Sequence, residues 1–272
     1  MLHFNLKLFI GVLISLFIIS CGSESYGLPE VKSNHPLEVK NILFAHGFMS
    51  SSETWEDFTR YSSNYANREW VPYLTSVSKT GTIIQRASEL ADYINAQNLD
   101  DNSVLAVGHS MGGLDLRYII SMGHQNQSVN NKYYTAAKKI YKLYTIATPH
   151  KGSNIASLVK RDNGAVHDLS VEYMNEFNQK YPYSNNHIDD RFIPMLAIRF
   201  TCQKAQKNDG VVAIDKQILD NAPYSEKIYK GKHTSGLRRC EKNAREELTQ
   251  SRIIEGILND TIAAVNLKKE RL

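Results

Sequence analysis

Ser110 stands in Gly108-His109-Ser110-Met111-Gly112-Gly113, directly after the apolar run Val104-Leu105-Ala106-Val107 and before a helical pattern reaching Ile119 and Ile120. Strand, tight turn and helix in that order are what a nucleophilic serine needs in order to be held clear of its own backbone. Glycines at 108 and 112 let neighbouring backbone pack close to a crowded turn while the hydroxyl projects. The helix beginning just beyond offers backbone donors and a favourable dipole to a developing negative charge. A serine hydroxyl is a weak nucleophile until a base takes its proton, and the base needs a carboxylate to fix its tautomer and stabilise its cation. A histidine and an acid are therefore required elsewhere in the chain.

Four blocks between Asn41 and Leu237 resemble the bacterial lipases and esterases of the α/β-hydrolase superfamily. The first, Phe44-Ala45-His46-Gly47-Phe48, runs an apolar strand into His-Gly; the resemblance implies that Phe48 gives one oxyanion-hole amide. The second is the serine turn, where the same resemblance assigns the other amide to Met111. The third, Ala147-Thr148-Pro149-His150-Lys151-Gly152-Ser153, resembles the Thr-Pro-His-x-Gly-Ser turn of these lipases, and His150, like His46 and His109, is read as shaping a loop. The fourth supplies the remaining groups. In this fold the chain order is serine, acid, histidine, and of nine histidines only His233 follows the last strong acid candidate. For the acid, Asn208-Asp209-Gly210 forms a tight turn after a strand and resembles the segment carrying the catalytic aspartate in bacterial lipases. Asp209 is the choice, with Asp215 and Glu226 as alternatives.

The elements that must position these groups can be traced along the chain. Apolar β-prone runs at Asn41 to Ala45, Trp70 to Val77, Ser103 to Val107, Tyr141 to Ala147, Phe192 to Phe200 and Lys227 to Lys230 alternate with helical patterns. Six such runs predict an α/β fold with a mainly parallel sheet of six or more strands and helices on both faces. Ser50 with Glu53, and Thr82 with Gln85, have capping-box spacing. Ile84, Ala87, Leu90, Ala91 and Ile94 form one helical stripe, and Ile253, Ile254, Ile257, Leu258 and Val265 another. Residues 154–190, with Val171, Met174 and Phe177 at three-residue intervals, are read as a small helical cap that helps wall the pocket. Trp55, Tyr61 and Tyr65 are either cleft lining or core.

The N-terminus places an apolar run, Leu8 to Ile19, before Ser20, Cys21 and Gly22. It is too short to span a bilayer comfortably and reads as a signal peptide over residues 1–20. Ile18-Ile19-Ser20-Cys21 resembles a bacterial lipobox, which implies lipid on Cys21, export and a membrane-anchored lipoprotein of the cell envelope or surface. Residues 21–36 then read as a tether and 37–272 as the hydrolase domain. Cys202 and Cys240 remain as an even pair in an oxidising compartment, either bridged or two buried thiols.

The formal charge of +4 over 272 residues, without long blocks of one sign, does not suggest a nucleic-acid partner. The expected partner is an ester or lipid substrate, with the chain a monomer and no cofactor. No Cys or His spacing supports zinc. The aspartate through which several larger bacterial lipases hold calcium is replaced by Ser235, so metal is not expected. The His-Gly-Phe loop resembles the lipase type that accepts longer acyl chains. Acylglycerol, phospholipid and simple carboxylic esters, acyl transfer on the same fold, and a non-catalytic lipid- or partner-binding lipoprotein are the readings this sequence leaves open.

Overall fold

A computed structural model describes residues 39–63, 65–159, 164–202, 207–233 and 247–269. In chain order the elements are β1 (Asn41–Ala45), α1 (Glu56–Ser62), β2 (Val71–Leu74), α2 (Ile83–Ala96), β3 (Val104–His109), α3 (Met111–Gln125), α4 (Lys132–Lys139) and β4 (Ile140–Ile146). Then come α5 (Asn154–Leu158), α6 (Gly164–Asp168), α7 (Val171–Lys180), β5 (His187–Ile188), β6 (Arg191–Phe192), β7 (Met195–Thr201), β8 (Tyr224–Lys230) and α8 (Glu247–Lys269). Six strands form one parallel sheet in the order β2-β1-β3-β4-β7-β8.

The central strands β1 and β3 are buried along their whole length, as strands covered on both faces must be. Successive residues serve opposite layers. Leu43, Ala45, Val104, Ala106 and Leu143 pack with α2, α3, α4 and, through Met174 and Phe177, α7. Ile42, Phe44, Leu105, Val107, Tyr144 and Ile146 face Trp55, Phe58 and α8. On α8, Ile253, Ile254, Ile257, Leu258 and Ile262 are all buried, each worth about 1.5–3 kcal/mol relative to exposure. The outermost strands differ: β2 and β8 alternate inward with exposed residues, Tyr229 of β8 being buried, and Pro72, which cannot donate to a ladder, sits on the edge strand where that costs least.

Four sequence expectations are corrected. The second strand is shorter than Trp70 to Val77, because at Thr75 both the amide and the hydroxyl turn to the carbonyl of Phe44. The run Phe192 to Phe200 is divided: Pro194 interrupts it, Phe192 pairs antiparallel with His187, and only Met195–Thr201 enters the main sheet. Ser50 and Glu53 form no capping box; the Ser50 hydroxyl bonds Thr54 Oγ1 at 2.5 Å, and the short turn that follows is preceded by Ser51 without a side-chain cap. On α2 the inward residue is Ile83, while Ile84 is 46% exposed. The Thr82–Gln85 box does form, with bonds of 3.1 and 3.0 Å.

Candidate active site

β3 delivers the chain to Ser110, whose backbone lies at φ 55° and ψ −126°, a conformation that costs an L-residue on the order of 1–3 kcal/mol. The turn is held by Ser110 N–H donating to Ile146 O at 2.9 Å and Gly113 N–H donating to Ser110 O at 3.1 Å. Strain therefore sits under the one residue whose hydroxyl must stand clear of both strand and helix.

The structure brings Ser110, Asp209 and His233 together. His233 Nε2 is 2.8 Å from Ser110 Oγ and Nδ1 is 2.7 Å from Asp209 Oδ2. Because Asp209 can only accept when ionised, Nδ1 carries the proton and Nε2 is free to accept from the serine. The other carboxylate oxygen, Oδ1, accepts from Val211 N–H at 3.0 Å and Val212 N–H at 2.8 Å. Both oxygens are thus committed. His233 N–H also donates to Asp209 O at 3.0 Å, locking the two loops to each other. The alternatives Asp215 and Glu226 are exposed, and the imidazole's bond goes to Asp209.

The loop after β1 lies against Ser110. A Cβ on Gly47 would stand 2.8 Å from Ser110 Cβ, so only glycine permits this approach. His46 holds the loop's shape: its Nε2 accepts from Val77 N–H at 3.2 Å and its Nδ1 donates to Gly47 O at 2.9 Å. Burial keeps its pKa below the ordinary value. Among the described residues, neither the Phe48 amide nor the Met111 amide has a hydrogen-bond acceptor. One of these unpaired donors directly follows the serine and the other directly follows Gly47, the residue packed against it; donors without acceptors are what an oxyanion would need.

His150 has a structural part within the Thr-Pro-His turn. Its Nδ1 accepts from Arg117 at 3.1 Å and its Nε2 donates to Thr145 Oγ1 at 2.9 Å. Burial holds it well below the usual imidazole range. Arg117 also donates to Tyr181 O at 3.0 Å, so the turn fastens α3 to the end of α7.

That fastening bears on residues 154–190. Met174 and Phe177 of α7 are packed into the core, whereas Val171 is only partly buried; α7 is a core helix. The outward apolar residues of the segment are on and just after α5: Ile155 at 51%, Leu158 at 82% and Val159 at 45% exposure. Of the aromatics, Trp55 is fully buried beside Phe44 and Phe58, and Tyr65 reaches α8 through a 3.1 Å bond to Asn259.

Three contributors to the site carry no sequence motif. Gln217, in a short turn after the acid loop, donates to Asp209 Oδ2 at 3.3 Å and accepts from Phe200 N–H at 2.6 Å. Arg86 and Asp115 form a fully buried ion pair at 2.8 Å, and Arg86 also reaches the carbonyl of His46 in the loop after β1. Hydrophobic periodicity reads both positions only as helix, and nothing in the local sequence marks contacts across 29 residues.

Cys202 is disulfide-bonded; Cys240, its expected partner, lies outside the described residues, as do Cys21 and Ser235. Among the described residues no cluster of three or more His, Cys, Asp or Glu could hold a metal ion. No described helix is long and apolar enough to cross a membrane.

Residues 37–164 match the family described as "Putative serine esterase (DUF676)". Among curated proteins no sequence matches. The mature form of lipase BlEst2 from Bacillus licheniformis is similar in structure, at 19% identity and a TM-score of 0.55, over 89% of this chain and 96% of that one. The metagenomic carboxyl esterase MGS0156 is similar at 12% identity and a TM-score of 0.64, over 88% and 80%. Phospholipase PlaB from Legionella pneumophila is similar at 12% identity and a TM-score of 0.55, over 81% and 58%. At these identities the likeness shows the fold, which is that of an α/β-hydrolase. Together with the match over 37–164 it supports a serine ester hydrolase at the level of reaction class.

Proposed function

We propose that the chain hydrolyses carboxylic esters of lipid character through an acyl-enzyme on Ser110. The observation that carries this reading is the position of His233, bonded at once to Ser110 and to Asp209, beside two amides with no acceptor. Ser110 Oγ attacks the ester carbonyl as its proton passes to His233 Nε2, and the Phe48 and Met111 amides hold the carbonyl oxygen as it gains charge. The tetrahedral species collapses, the carbon–oxygen bond to the alcohol breaks, and His233 returns its proton to the leaving oxygen. Water then attacks the acyl-enzyme along the same path and releases the carboxylic acid.

The apolar side chains after Ser153 support a lipid-like ester over a small polar one. Ser153 Oγ donates to Val211 O at 2.8 Å, beside the acid loop, and α5 starts at the next residue with Ile155 and Leu158 exposed. Met49, one residue beyond the oxyanion loop, is 70% exposed. In this reading acylglycerols and phospholipids are the substrate classes to compare. Export and attachment through lipid on Cys21 complete the proposal, placing the domain beside its substrate.

A panel of esters of increasing acyl length, with a phospholipid and an acylglycerol, assayed on wild type and Ser110→Ala, tests the reaction. Turnover that rises with acyl length and vanishes in Ser110→Ala is expected; turnover that survives Ser110→Ala would sink it. For the anchor, radiolabelled fatty acid should enter the wild type and not Cys21→Ala; equal labelling of both rejects it.

A further inference from the structure

The two amides assigned to the oxyanion belong to different elements. Phe48 is in the loop after β1, and Met111 opens α3. Catalysis by such donors depends on their being fixed before charge develops, so something must hold the loop at a set distance from the helix. Part of that contact is steric: a Cβ on Gly112 would meet Ala45 O at 2.3 Å and His46 O at 2.7 Å, so α3 sits directly on the end of β1 and the start of the loop. A steric contact alone does not stop the loop from lifting away.

Arg86 supplies the attractive hold, on the same His46 carbonyl that Gly112 approaches. Its side chain is completely buried on α2. Nη2 donates to His46 O at 2.6 Å, Nη1 donates to Ser78 O at 2.6 Å, and Nε donates to Asp115 Oδ2 at 2.9 Å. Asp115 lies on α3, four residues after Met111. The same guanidinium therefore grips the carbonyl two residues before Phe48 and the carboxylate one turn beyond Met111. The planar fork has donors enough to reach all three acceptors, which an ammonium on a flexible stem does not reproduce. A buried ion pair is a poor source of net stability compared with apolar packing, yet here it is committed to the loop that faces the nucleophile.

We infer that Arg86 is a positioning residue that sets the spacing of the two oxyanion donors by tying the His46 carbonyl to Asp115 on the nucleophile helix. The role rests on the ester-hydrolase reading of the site. Loss of the grip leaves the His46 carbonyl without this donor and frees the loop to shift. The consequence falls on charge development and not on substrate capture, so kcat should fall while KM holds.

The test compares wild type, Arg86→Met, Arg86→Lys and Ile254→Ala on the longest soluble ester that the wild type hydrolyses, with Tm measured for each. Removing one oxyanion donor typically costs about 100-fold or more in rate; displacing one should cost about 10- to 100-fold. Arg86→Met is expected to lose that much in kcat with KM within about threefold, and Arg86→Lys to recover part of it. Ile254→Ala, a core truncation on the opposite face of the sheet, should lower Tm while kcat stays near wild type. If Arg86→Met does not fold, Arg86→Lys decides: wild-type kcat in that variant overturns the role. An active wild type whose Arg86→Met variant keeps its kcat, or loses only KM, overturns it alone. A wild type that hydrolyses no ester overturns the reaction and this role with it.

Discussion

The ring of His109 lies against the ring of His233, with centroids 5.0 Å apart at an angle of 45°. Neither nitrogen of His109 has a hydrogen-bond partner among the described residues. Burial, reinforced by His233 and His46, holds its pKa well below the ordinary 6.5. His109 thus gives His233 a neutral wall where a second cation would oppose the imidazolium of the transition state.

The acid limb of kcat/KM should accordingly be set by the base alone. His109→Phe, which keeps a neutral ring, should move that limb by less than about 0.3 pH units, and a shift of a full unit, about 1.4 kcal/mol of interaction between the two rings, would show that His109 carries charge. The pH–rate profile of the two proteins decides.

The acid can be identified by three substitutions. Asp209→Asn keeps the shape but leaves no carboxylate to hold the Nδ1–H tautomer, and should lower kcat by about 10³ to 10⁴. Asp215→Asn and Glu226→Gln, both at exposed positions, should stay within about twofold. A large loss from either of these, with Asp209→Asn active, would reassign the acid.

Stability should fall below neutral pH, with buried histidines and a buried aspartate acting in opposite directions. His109 and His150 are held well below 6.5, so as pH drops from 6.5 the unfolded chain binds protons that the folded chain refuses. Their contribution is present above 6.5 and lost on acidification, at up to about 1.4 kcal/mol per pH unit for each; His46, lowered less, adds in the same sense. Asp115 works the other way. Burial pushes its carboxyl from 3.8 up to about 7 against the pull of Arg86, so its contribution is full below 3.8 and lost as pH rises through 7. Urea midpoints at pH 7.5, 6.5 and 5.5 should fall less steeply in His150→Gln and more steeply in Asp115→Asn than in the wild type. Identical slopes in all three would refute this assignment.

Reduction should reach the acid loop first. Cys202 is disulfide-bonded, and its amide donates to Asn208 O at 2.6 Å, one residue from Asp209. If the partner is Cys240, the closed loop is worth about 4 kcal/mol in the chain-entropy model. Mild reductant should depress kcat before the far-ultraviolet circular dichroism changes. Unchanged activity and melting in reductant would remove the disulfide from any part in the site.

Much of this arrangement is legible along the chain, because its signals are local. Ser110 is marked by the glycines about it and the apolar run before it, Asp209 by its turn, and His233 by order alone. What the chain hides is long-range or ambiguous in phase. Ile83 and Ile84 are adjacent and about 100° apart on the helix, so either can open the inward stripe until neighbours choose. Phe192 reads as the start of a strand because composition cannot show that Pro194 diverts it into a hairpin. Met174 and Phe177 have the spacing of a pocket wall and of a core helix alike. Arg86, Asp115 and Gln217 are helix or turn residues whose roles arise only after the elements have docked.

The guanidinium of Arg86 spans three parts of the fold: a helix on one flank, a loop at the top and the helix behind the serine. Retention of activity therefore depends less on the sheet than on the seating of residues 83 to 96. The sheet could remain intact in a protein already silent, because that single helix had slid from its berth.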